Sequence, residues 1–307
     1  MVILSLTAIG AYLALSGAEE QVSGGGPIPP VYASPSQLRY MHVTPLDAVL
    51  CTLVEFFKIS LLPVNQAYTV HFLAGVAPVA LIFLIEGTRS DRSRAVIALL
   101  VGCLYTTTSG AVAAPLFWLV AVLAMARGRA PLTQVEAESV FMAISIGYIL
   151  PTLAFISSHD ECVIAYCQFF TIFMSILQHI WLHIRPATVE PAYYTTRMAL
   201  ITTLIISAFV HISFVITHRF SSPMTGFIQW WPSFSVPDLR STTAETAVYH
   251  LLKWDSIVWY ASAILGLVFL ADSTSDAMAM LTFAPLGSIA LSPGGYVALL
   301  AIHRESK

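Results

Sequence analysis

Among the 17 acidic residues of the 307-residue chain, the informative ones stand inside apolar runs. An unpaired charge in hydrocarbon costs about 3 kcal/mol on insertion scales, so such groups face a bundle interior and mark function. Asp255 lies in LLKWDSIVWYAS (251–262), one turn inside a helix expected to begin near Tyr249. Trp259 follows it by four residues and Ser262 by seven, which puts all three on one helical face. A carboxyl shielded from water beside an indole is expected to keep its proton and so to serve as a general acid. The indole can steady a developing cation. The plainer account pairs Asp255 with Lys253 or with a backbone amide at a membrane edge.

Two further carboxylates share this double reading. Glu86 closes an apolar run in Glu-Gly-Thr-Arg, where Arg89 offers a boundary charge. Asp47 follows Thr44-Pro45-Leu46 and suits the first turn of a helix capped by Thr44, because an acid there meets the positive helix end. Glu55 is three residues from Lys58 and reads as half of an intrahelical ion pair. Asp272 and Asp276, in ADSTSD, look like a membrane exit. His179 and His183 form HxxxH, a spacing that lets two rings share a metal. Two ligands fall short of the three or four a metal site needs, and the other histidines are dispersed singletons. An interhelical hydrogen bond is the simpler role for His179 and for its neighbour Gln178.

The elements that must carry these residues are membrane helices. The chain is 57% hydrophobic and 10% charged, with mean hydropathy +0.78; a soluble domain carries about 25% charged residues. Net charge is −3 with no basic stripe, which leaves nucleic-acid binding unsupported. Residues 1–16 read as a short first helix or signal-like segment without a basic n-region, and 17–45 as a Gly/Pro-rich loop. A helix runs from about residue 46 to Leu62. Spans are expected at 67–86, 138–157, 165–184, 197–217, 252–271 and 281–302, each near the ~20 residues needed to cross. The apolar run 95–126 is long for one span and short for two, and a polar, aromatic loop covers 218–248. The basic stretch Arg89–Arg94 puts that edge in the cytosol by the positive-inside rule. These elements form one all-α, multi-pass helical bundle of seven to nine helices over 46–302, a single domain. Of the four cysteines, Cys162 and Cys167 are close enough to pair in an oxidising lumen, and no spacing suggests zinc.

Several pieces, in order, resemble a family of small fungal membrane proteins from natural-product gene clusters. They are LDAVLCTLVEFF (46–57), IEGTR (85–89), SGAVAAPLFWL (109–119), GYILPTL (147–153), the spaced set Gln168, Phe170, Phe173 and Gln178, and LLKWDSIVWYAS. That family includes the ascofuranone-type terpene cyclases and the aurovertin- and citreoviridin-type epoxide hydrolases. The chain departs from it at Cys167 and Thr171, where a Trp and a Pro are expected.

The resemblance implies an enzyme that protonates an epoxide on a lipophilic polyene or prenylated precursor, without metal or cofactor. Asp255 would be the acid, and Glu86 or Asp47 the second carboxyl. Arg89 would hold Glu86 ionised. Gln178, His179, Trp254, Trp259, Tyr105 and Phe170 would shape or line the substrate pocket. Membrane lipids would surround the protein, in the endoplasmic reticulum membrane. A transporter or binding protein for small lipophilic molecules is the competing expectation, although no internal repeat or matched pair of broken segments supports it. A non-haem iron oxidase, built on HxxxH, comes third.

Overall fold

The computed structural model describes residues 40–41, 43–89, 100, 102–105, 108–125, 131–158, 160–186, 190–221 and 243–306. Eleven α-helices account for most of them: α1 Thr44–Ser60, α2 Pro63–Arg89, α3 Gly110–Met125, α4 Gln134–Ile144, α5 Leu150–Ser158, α6 Glu161–Cys167, α7 Phe170–Ile184, α8 Tyr193–Ser221, α9 Ala244–Phe269, α10 Thr274–Leu291 and α11 Pro293–Glu305. Among the described residues the sole β feature is one isolated bridge between Thr133 and Pro191. The chain is an all-α multi-pass membrane bundle. Four helices are long and apolar enough to cross: α2, the α4–α5 rod, α8 and α9. A fifth span is added if the bent α6–α7 pair counts as one. In hydrocarbon only a helix satisfies its own backbone, so these long apolar runs have no other available form.

α2 is the packing centre: 78% of its apolar window is buried inside the protein, against 22% for α8. Apolar residues occur all round α2, as a helix surrounded by other helices requires. Its Pro78 removes one N–H from the helical ladder. Within two turns of that gap, Tyr260 of α9 donates to the Phe72 carbonyl at 2.9 Å and Tyr148 to the Leu73 carbonyl at 2.7 Å. Tyr148 sits in a π-helical turn, Ser145–Ile149, joining α4 to α5. The turn just precedes Pro151, which has no N–H to offer the Gly147 carbonyl, and a widened turn accommodates that loss.

Several boundaries differ from those the sequence suggests. Val43, not Thr44, holds the cap position of α1, and its side chain makes no capping bond. α9 starts at Ala244, where Thr243 Oγ1 accepts from the Thr246 N–H. Asp255 therefore lies about three turns in rather than one. The 165–184 span is broken at Gln168–Phe169 into two pieces bent by 60°. The 281–302 span is two helices that meet at Ser292, whose φ of 76° reverses the chain direction locally. α8 runs on to Ser221, into the expected 218–248 loop. Residues 1–39, the basic stretch 90–94 and most of the 95–109 run lie outside the described residues. The Glu55–Lys58 pair is present at 3.0 Å, and Lys58 also reaches Glu161 of α6 at 2.7 Å. Cys162 and Cys167 are both free thiols.

Candidate functional site

The backbone start of α3 is the place where the chemistry gathers. Asp255 of α9 accepts from the Ala111 N–H through Oδ1 at 2.6 Å and from the Gly110 N–H through Oδ2 at 3.3 Å. A carboxyl from one helix thus caps the N-terminus of another, meeting unpaired N–H groups and the positive end of the helix dipole. Both donors are neutral. Gly110 is required for this approach: a β-carbon there would stand 2.7 Å from Trp259, 3.0 Å from Tyr105 and 3.2 Å from Asp255 Oδ2. Carboxyl, indole and phenol ring therefore converge on one bare backbone position.

Beside that point, behind Tyr105 and Trp259, lies a small cavity of about 40 Å³. α2 supplies Val76, Ala80, Phe83 and Leu84; the 102–105 segment supplies Gly102 and Tyr105; α3 supplies Ala113; α9 supplies Trp259. The broken α6–α7 pair contributes Phe170 and Thr171, directly after its bend, then Met174 and Ser175. Tyr105 packs on Phe170 and on Trp259 with ring centres 5.5 and 5.1 Å apart, and Phe83 on Trp259 at 5.4 Å. The walls are apolar and aromatic with few polar groups, as the walls of small-molecule sites are. Trp259 Nε1 is buried and has no hydrogen-bond partner among the described residues.

Glu86 lies one turn beyond the wall residue Phe83 on α2 and is 4% exposed. Its Oε1 accepts from Arg89 Nη1 at 3.2 Å and from Arg304 Nη1 at 2.6 Å. Arg89 also pairs with Glu305. Nearby, Gln178 of α7 donates to Thr88 Oγ1 at 2.7 Å, an interhelical bond.

The structure thus brings Asp255, Trp259, Tyr105 and Phe170 together; Glu86 and Arg89 follow the wall residue Leu84 along α2, and neither they nor Asp255 are among the residues lining the cavity. The other expected residues stand elsewhere. Asp47 is buried and accepts from the Met41 N–H at 2.8 Å, on α1, which contributes no residue to the cavity lining. Trp254 and Gln178 are half-buried and do not line the cavity. His179 is exposed and stacks on His183 with ring centres 6.1 Å apart. Among the described residues no three His, Cys, Asp or Glu come together as a metal-binding group.

Sequence reasoning did not single out Arg304, Gly110 or Phe83, and it noted Thr171 only as a departure from the family pattern. Arg304 is in the last turn of the final helix, where a cation answering the helix dipole is unremarkable. Gly110 belongs to a quoted segment, but only its meeting with α9 gives it a role.

An apolar membrane bundle with a buried carboxyl beside an aromatic cavity defines the class. Within that class the chain belongs to the CtvD domain family, whose family model matches residues 13–306. No curated protein and no solved structure matches the chain.

Proposed function

We propose that this protein opens an epoxide by acid catalysis on a lipophilic polyene or prenylated precursor, as a cyclase or a hydrolase of fungal secondary metabolism. The observation that carries the reading is the buried Asp255 carboxyl, gathered at Gly110 with the cavity-lining Trp259 and Tyr105 and held by neutral donors alone among its described hydrogen bonds. An oxirane is a poor base, so its opening at neutral pH needs a carboxylic acid that has kept its proton. Cationic partners favour the ionised form of a carboxyl. Glu86 has two guanidiniums at its Oε1, so of the two carboxyls Asp255 suits the donor and Glu86 the acceptor. Membership of the CtvD domain family supports the biosynthetic setting, as does the resemblance to epoxide-opening enzymes.

In the proposed reaction the Asp255 proton passes to the oxirane oxygen as the carbon–oxygen bond breaks. The opened carbon is captured by an internal alkene, by a hydroxyl or by water. Trp259, Tyr105 and Phe83 present ring faces that stabilise positive charge as it develops. The proton released at the end goes to Glu86, and exchange with solvent resets both carboxyls. The unpaired indole N–H of Trp259 suits a substrate oxygen. Whether rings or a diol result depends on how well the aromatic walls exclude water. A substrate of this kind partitions into lipid, which is consistent with residence in the endoplasmic reticulum membrane.

The test is product analysis by mass spectrometry on microsomes containing the protein, supplied with epoxidised farnesyl-phenol and polyene substrates. A product of unchanged mass and new retention establishes a cyclase; a gain of one water establishes a hydrolase. No conversion of any substrate by folded protein overturns the reading in favour of lipophile binding or transport.

A further inference from the structure

The last turn of α11 carries one of the two guanidiniums at Glu86, and it comes from a different element than the carboxyl it meets. Arg304 is 4% exposed and lies 2.6 Å from Glu86 Oε1, across 218 residues of sequence. It belongs to a quartet of two carboxyls and two guanidiniums: Glu86 and Arg89 on α2, Arg304 and Glu305 on α11. The register that joins them is set far away. At the start of α11, a β-carbon on Gly294 would collide with the Gly75 backbone of α2, so bare backbones meet there. From Gly75 to Glu86 is a rise of ~16 Å and from Gly294 to Arg304 ~15 Å. The two helices therefore run parallel and side by side, touching at the glycines and clasped at the charges.

Arg89 by itself pairs with Glu86 through the flexible i,i+3 relation on one helix. Arg304 adds a second guanidinium from a different element, fixing the carboxyl against α2's neighbour rather than against α2 alone. Removing one member of a buried charge group leaves an uncompensated charge and a mobile partner. We infer that Arg304 is a positioning residue for Glu86, so that the C-terminal helix completes the catalytic constellation. This inference rests on the reading of Glu86 as the proton acceptor.

The experiment uses the full-length protein in microsomes with an epoxidised substrate that the wild type converts. It compares Arg304→Met, Arg304→Lys, Glu86→Gln and the double variant Glu86→Gln/Arg304→Met, each normalised to folded protein. Arg304→Met is expected to lower kcat at least roughly tenfold with KM held within about twofold. Arg304→Lys is expected to recover part of that loss, and Arg304→Met to add nothing on top of Glu86→Gln. A merely structural arginine would lower the folded yield and leave kcat per folded molecule unchanged, and that result overturns the inference. Losses that multiply in the double variant overturn it as well. Should Arg304→Met fail to fold, Arg304→Lys decides: a wild-type kcat from it, once the single ammonium has replaced the guanidinium fork, counts against positioning. A fully active Glu86→Gln removes the acceptor role and this inference with it, while conversion itself still supports an epoxide-opening enzyme.

Discussion

An aspartate that accepts two backbone N–H groups at once, as Asp255 does from Gly110 and Ala111, cannot be exchanged silently for asparagine. One oxygen becomes an NH₂ group, and a donor then faces a donor. Asp255→Asn is therefore expected to cost about 1–3 kcal/mol of stability as well as abolishing turnover. Both effects are read by following thermal unfolding in detergent beside product yield per folded molecule; wild-type turnover by the variant would assign the proton to another group. Gly110→Ala tests the same corner without touching the acid. Its β-carbon must push aside Trp259 and Tyr105, and at least a roughly tenfold fall in kcat/KM is expected from so small a displacement near the reacting atoms. Unchanged kinetics would show that substrate does not use this end of the cavity. The tie between Asp255 and α3 was not legible from Asp255 and its helical neighbours. Spacing along α9 predicts the shared face with Trp259, but no sequence pattern announces that a carboxyl will cap a helix 144 residues away.

At the scale of elements, Ser292 shows what an expected span of 22 residues hides. The residues from 281 to 302 are apolar enough to pass for one crossing, yet Ser292 takes φ 76°. There its Oγ accepts from the Gly295 N–H at 2.9 Å and sits 2.7 Å from Ser207 Oγ of α8. With ψ at 158° this positive-φ backbone costs a non-glycine residue about 1–3 kcal/mol, which the cap and the buried hydroxyl pair offset. The expected order of stability is wild type, then Ser292→Gly, then Ser292→Ala. Glycine loses the hydroxyl but relaxes the backbone, whereas alanine loses the hydroxyl and keeps the strain; the alanine variant is expected to lose about 1–2 kcal/mol. Thermal unfolding of the three proteins checks the order, and equal melting would mean that the break is set by tertiary packing alone. Hydropathy locates apolar runs well: α2, the α4–α5 rod, α8 and α9 all fall where spans are expected. It is blind to the turn at Ser292, which the following Pro293-Gly294-Gly295 marks by backbone chemistry rather than by hydropathy, and to the bend at Gln168–Phe169, whose residues also sit comfortably in helices.

For the molecule as a whole, the cavity is an intersection rather than a property of any one segment. α2 and α7 contribute most of its lining residues, and α3, α9 and the 102–105 segment add Ala113, Trp259, Gly102 and Tyr105. The lining is mostly apolar, so a lipophilic substrate bearing few oxygens is the expected occupant, and hydrophilic epoxides are expected to be poor substrates. Comparing kcat/KM across epoxides of increasing chain length checks this, since each methylene buried in an apolar pocket favours binding by about 0.8 kcal/mol. No gain with length would place binding outside the cavity. From sequence alone Tyr105, Phe170 and Trp259 were nameable as aromatic wall candidates. Phe83 was not, because an aromatic in an apolar span is ordinary until its neighbours are known.

The deep burial of α2 also bears on how the protein is made. The most buried of the four candidate spans, α2, precedes its partners α8, α9 and α11 in the chain. Until they arrive α2 must wait in the bilayer, which its unbroken apolar run from Phe72 to Ile85 allows. Arg89, three residues from Glu86 on the same helix, gives that carboxyl a companion during the wait. Maturation is then a matter of exchanging lipid neighbours for protein ones, and the arrival of α11 closes the α2 face that holds Glu86. A ribosome-released chain ending before residue 293 would leave the α2 face beside Gly75 and Glu86 uncovered, a surface for quality-control machinery to recognise.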